Sequence, residues 1–225
     1  MNVLAFDTAT PSTVVGARHG DRNVALDHEP SSGERPGHAT RLLGLVDEAL
    51  AAVGLELNEL DRLGVGVGPG SFTGLRIGIA TARALAQAAD LPLAGVSTLD
   101  ALAAAAADEL EPGRAVLAVI DAGRGEGFAA GFRDGRALAA AAALGPDGLA
   151  ALAATLEAPV AVGGGAVRFQ AQLRAAGAAV PPAESPLHRP DGRHLCRLAA
   201  AAETADRDAV LPQYVRAPDA TPHPR

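Results

Sequence analysis

The chain has no lysine and no tryptophan, and each of its 19 basic residues is an arginine. Without lysine there is no P-loop lysine, no Schiff-base lysine and no Ser-Lys dyad. A single cysteine, Cys196, leaves no internal disulfide, no Cys-rich zinc site and no CxxC redox pair. That usage fits a reducing compartment. No two of the six histidines stand three or four residues apart, so no helical metal pair exists. Aromatic residues make up 3% of a chain that is 48% apolar, so its cores must be built from Ala, Val and Leu. The Ala-rich runs are broken by acids, Gly or Pro before they reach the ~20 apolar residues of a bilayer span. The opening MNVLAFDTAT has no basic region ahead of its first acid and does not read as a signal peptide. A net charge of −7 argues against a broad basic face that grips nucleic acid.

What is present is enough for one large or two small α/β domains, at 225 residues. Short apolar runs at 3–6, 13–18 and 22–27 read as strands around the turn 7–12. From His38 the period becomes helical, and Leu42, Leu45, Val46, Ala49, Leu50 and Val53 form one stripe ending at Gly54. A strand at 63–67, a helix over 72–89, a strand at 93–96 and an Ala-rich helix over 98–110 follow, with Ser97 or Thr98 as its N-cap. The loop 111–114 reads as a junction. Beyond it the opening plan repeats: strand 115–120, Asp121, the turn Gly123-Arg124-Gly125, and a returning strand near 127–132. A glycine turn at 163–165 leads into a helix over 167–176. We therefore expect a first lobe over 1–110, a second over 111–215 and a flexible tail over 216–225.

The segment GPGSFTGLRIG, residues 68–78, is the most informative. It stands where a strand turns into a helix, and such a junction aims free N–H groups at a neighbour, often an anion. Neither GxxxxGK[ST] nor an in-register GxGxxG is present, which removes the two familiar phosphate-loop readings. Gly74 and Gly78 should each cost the helix about 1 kcal/mol relative to Ala. They line up with Ala82 and Ala86 as a row of small residues that lets another backbone come close. Packing on the chain's own sheet accounts for that row. Beside it, Phe72, Leu75, Arg76, Ile79 and Arg83 suit a protein-facing helix, since Arg is favoured at interfaces.

Asp7 with Thr8 and Thr10 resembles the first phosphate hairpin of actin-like ATPases, but a structural turn with an Asx or Thr hydrogen bond is the better-supported reading. Asp121, with Gly123 and Gly125, offers a second phosphate element, and Gly164 an adenosine-side turn. Gly68, Gly70 and Ser71 complete this nucleotide-like set. Ser71 and Thr73 read as helix caps, Cys196 as a small buried apolar residue, and His38 as a helix-start residue that caps or faces solvent.

The motif at 68–78, together with VLAFDTATPSTVVG, HATRLLGLVDEAL, VIDAGRGEG and LPQYVR, closely resembles the TsaB (YeaZ) family over nearly the whole chain. The resemblance implies an α/β, two-lobed actin-like ATPase fold of the sugar kinase/Hsp70/actin, ribonuclease H-like kind. It implies a cytoplasmic, non-catalytic subunit that binds and activates TsaD, with TsaE, in making threonylcarbamoyladenosine in tRNA. Mg-ATP and a metal ion would then belong to the partner subunits, and this chain would need no cofactor of its own. The docking helices carried over are 38–53 and 72–89, with His38, Leu42, Leu45, Val46, Phe72, Leu75, Arg76, Ile79 and Arg83 as the partner-binding set. The same surface would form a homodimer of the chain alone, with tRNA contacted mainly through the complex. The chain lacks the HxxxH of TsaD-type proteins, and its turn after Asp121 is more glycine-rich than is common in the family. Two rivals stay open from the residues: an ATP-dependent small-molecule kinase using Asp7 and Asp121, and a homodimeric binding module.

Overall fold

Strands whose apolar side chains alternate between two faces build two sheets, each buried on both sides. The computed structural model describes residues 1–31 and 33–216. The first sheet holds β1 (Val3–Asp7), β2 (Thr13–His19), β3 (Arg22–His28), β4 (Arg62–Gly68) and β5 (Leu93–Ser97), in the order β3-β2-β1-β4-β5. β1 runs antiparallel to β2 and parallel to β4. The second holds β6 (Ala115–Asp121), β7 (Gly127–Arg133), β8 (Arg136–Leu144) and β9 (Val160–Val162), in the order β8-β7-β6-β9. Again the central strand is antiparallel to its hairpin partner and parallel to the next.

Alternation sends Leu4 and Phe6 of β1 to one face and Val3 and Ala5 to the other. The first face is covered by α1 (His38–Val53) and α2 (Phe72–Ala88), through Leu42, Val46, Ile79 and Ala82. The opposite face is covered by α7 (Gly192–Ala201), through Leu195, Cys196 and Ala199. In the second sheet, Val116, Ala118 and Ile120 meet α3 (Thr98–Glu109). Leu117 and Val119 meet α4 (Pro146–Thr155), α5 (Gly164–Arg168) and α6 (Gln170–Ala175).

The cores therefore do not divide at 110/111. α3 precedes the junction, yet Leu99, Leu102 and Ala106 belong to the second core. α7 follows it, yet closes the first. Arg62 on β4 fixes that return by donating to the carbonyls of Ala199, Ala200 and Ala202 at the C-terminal end of α7, where orphan carbonyls need donors. The single helix expected over 167–176 is two short ones. Gly163, at φ +97°, starts the first earlier, and Phe169 breaks the pair while burying its ring in the second core. Of the expected tail, Arg216 is held by Glu126; 217–225 lie outside the described residues. No helix among the described residues is long and apolar enough to cross a membrane.

Candidate functional site

The turn after β1, the first turn of α2, the β6–β7 turn and the start of α5 face each other across a cleft of about 1040 Å³. Thr10, Gly70, Ser71 and Phe72 line the first-sheet side, and Asp121, Gly123 and Gly164 the second. The nucleotide-like set is thus only partly brought together. Asp7, Thr8 and Gly68 do not line the cleft.

Asp7 is 1% exposed. Its carboxylate accepts from the Ala9 N–H at 2.6 Å and from the Thr98 hydroxyl at 2.7 Å. Burial pushes its pKa up from the ordinary 3.8, against the pull of those two hydrogen bonds. Asp7 ties the end of β1 to the start of α3, and so joins the two cores. The Thr8 hydroxyl donates to the Gly74 carbonyl at 2.7 Å. A Cβ on Gly74 would collide with the Thr8 carbonyl oxygen, and one on Gly78 with the Thr8 hydroxyl. The small-residue row thus lets the β1–β2 turn press onto α2. Ser71 caps α2 by accepting from the Gly74 N–H, and its own N–H donates to the Ala9 carbonyl at 2.7 Å.

On the far wall, Asp121 gives both oxygens to Arg168 and one also to the Gly123 N–H. Arg189 is held by Glu29 and Asp27, and Arg216 by Glu126. A magnesium–phosphate group does not fit these residues. One acid is sealed, the other is neutralised by an arginine, and the glycine turn is closed by Ala9. Among the described residues no three His, Cys, Asp or Glu side chains are grouped to hold a metal ion.

The expected docking set divides by burial. Leu42, Val46, Leu75 and Ile79 are each at most 4% exposed and pack inside the chain's own fold, so they do not form an outward face. His38 is likewise buried, with Nδ1 sharing a 2.8 Å hydrogen bond with Thr13 Oγ1 and Nε2 without a partner. Burial, with His28 nearby, holds its pKa below the ordinary 6.5. Leu45 is half-buried on the same core. Arg83 is spent internally, donating to the carbonyls of Asp208 and Val210. Of this set only Phe72, at the edge of the cleft, and Arg76 are exposed. The Arg76 guanidinium lies 3.9 Å from the centre of the Phe72 ring, whose side chain is 53% exposed.

Two outward residues were not singled out by the sequence reading. Leu43, on α1, is 54% exposed. Tyr214 stacks on Phe72 with ring centroids 5.7 Å apart. Leu43 sits one residue off the buried stripe, and Tyr214 is the chain's one tyrosine; both were visible signals.

Known proteins resemble this chain in sequence and in fold. A family model described as TsaD, tRNA N6-adenosine threonylcarbamoyltransferase, matches residues 34–161. The TsaB protein of Haemophilus influenzae, described as a tRNA threonylcarbamoyladenosine biosynthesis protein, is 42% identical over 122 residues. That match covers 54% of this chain and spans about half, 50%, of the relative's length. The YeaZ structure from Pseudomonas aeruginosa superposes with TM-score 0.76 at 28% identity, covering 95% of this chain and 99% of that one. A ROK hexokinase from Thermus thermophilus, 14% identical at TM-score 0.52 over 90% of this chain and 98% of that one, shares the fold alone. The chain belongs to the TsaD-like family, in its TsaB (YeaZ) branch, and carries the two-sheet actin-like ATPase fold.

Proposed function

We propose that this chain is an accessory subunit in the synthesis of threonylcarbamoyladenosine in tRNA, acting in the cytoplasm. It docks a TsaD-type transferase through the outward face of α1 and α2, and works beside a TsaE-type partner. Alone, it pairs with a second copy through the same face. The observation that carries this reading is the exposed trio Leu43, Phe72 and Arg76 on adjacent helices. Aromatic and Arg side chains left half in water are what a partner surface uses as anchors. The names of the relatives supply the reaction, and the cleft supplies a reason to leave chemistry to a partner. The burial of Asp7 and the pairing of Asp121 with Arg168 support a reading in which the chain works without a cofactor of its own. Mg-ATP and a metal ion sit on the partner subunits, which also make most of the contact with tRNA.

Size exclusion of the purified chain mixed with a TsaD-type transferase tests this. A joint peak, lost on Phe72→Asp combined with Arg76→Glu, is the expected result. An unchanged joint peak in that variant rejects the face; no joint peak with the unaltered chain rejects the reading.

A further inference from the structure

Four consecutive residues near the end of the described chain attach to both sides of the cleft. The Gln213 N–H donates to the Val67 carbonyl, at the end of β4, at 2.8 Å. Tyr214 stacks on Phe72, at the start of α2. Val215 packs against the second core. Arg216 binds the Glu126 carboxylate, reaches the Ala122 carbonyl at 3.4 Å, and lies 5.7 Å from the centre of the Phe128 ring. All four residues line the cleft.

Reach makes this a constraint. The three steps from Gln213 to Arg216 span at most about 10 Å when fully extended. That span, with the reach of the Arg216 side chain, limits how far the cleft mouth can widen while both ends hold. The ends are unequal. Upstream, Val210 is buried in the first core and Arg83 grips the carbonyls of Asp208 and Val210. Downstream, Arg216 and Glu126 form a partly exposed ion pair, with side chains 26% and 39% accessible, and such pairs break at little cost.

We propose that residues 213–216 are a latch across the cleft, fixed on the first sheet and released at Arg216, which sets how far the two sheets open. The latch stands over the glycine-rich turn, where Gln213 comes close to Gly68.

Hydrogen–deuterium exchange of the full chain, compared with Glu126→Gln and Arg216→Gln, tests the latch. Glu126→Gln keeps side-chain size, Arg216→Gln shortens the side chain, and both remove the charge pairing. The expected result is about fivefold faster exchange on both walls of the cleft, 121–127 and 68–72, with β1 and α7 unchanged. The exchanged pair Arg216→Glu with Glu126→Arg returns both segments to the original rate. Faster exchange confined to 213–216 overturns the latch, since the segment then moves without moving the lobes. A rise spread evenly over the chain also overturns it, because the pair would then be a general stabiliser.

Discussion

Arg168 holds both oxygens of Asp121, at 2.7 and 2.6 Å, so the acid on the far wall of the cleft is already neutralised. Its counterpart across the cleft, Asp7, is sealed from solvent. A kinase of this fold would need both free at the phosphates. Calorimetric titration of the chain with Mg-ATP is therefore expected to give no saturable heat. Saturable binding weakened by Asp7→Asn would restore the kinase reading.

Asp7 also makes a stability prediction. Its folded pKa is raised, so its contribution is most favourable below the unfolded value of 3.8 and is lost as pH rises through the folded value. Asparagine can still accept from the Ala9 N–H, and carries no charge to bury. Thermal unfolding should find Asp7→Asn at least as stable as the original at pH 7, with the difference vanishing near pH 4. A large loss at pH 7 would mean that the ionised carboxylate is needed.

The histidines act in the opposite direction. His38 and His194 both have pKa values held below 6.5, chiefly by burial. The unfolded chain then binds more protons than the folded one as pH drops, so stability falls as pH falls below about 6.5. Urea unfolding at pH 7, 6 and 5 should show this fall, and His38→Asn should make it shallower. An equal slope in the variant would assign the effect to other groups.

How much was legible follows from how local each signal is. The helical stripe starting at His38 and the strand–glycine–helix junction at 68–78 are short-range patterns, and both elements formed as read. The stripe also marked Leu42 and Val46 correctly as one face, but periodicity does not say whether that face meets a partner or the chain's own sheet. Here the sheet won, and the exposed residue, Leu43, stands beside the stripe. The return of α7 to the first sheet rests on contacts such as Arg62 with Ala199, 137 residues apart, which no local pattern carries.

Two glycines separate packing from propensity. A Cβ on Gly74 would meet the Thr8 carbonyl, whereas Gly44, exposed on α1, has nothing within 4 Å. Gly74→Ala should destabilise by about 1–3 kcal/mol through overpacking. Gly44→Ala should stabilise by about 0.5–1 kcal/mol through helix propensity. Denaturant unfolding reads both, and the same sign for the two would contradict the close approach of the β1–β2 turn.

Cys196 is fully buried, its thiol donates to the Val3 carbonyl at 3.6 Å, and burial pushes its pKa up to about 12. A thiol reagent should leave the native chain unmodified at pH 8 and react fully in denaturant. Rapid native labelling would show that α7 leaves the first sheet readily.

We propose above that this chain supports tRNA modification by docking a transferase through Phe72 and its neighbours. Mass analysis of tRNA nucleosides from cells depleted of the native protein and complemented with this chain tests it most directly. Threonylcarbamoyladenosine should fall on depletion, return with the unaltered chain, and stay low with Phe72→Asp combined with Arg76→Glu. Unchanged threonylcarbamoyladenosine on depletion would contradict it.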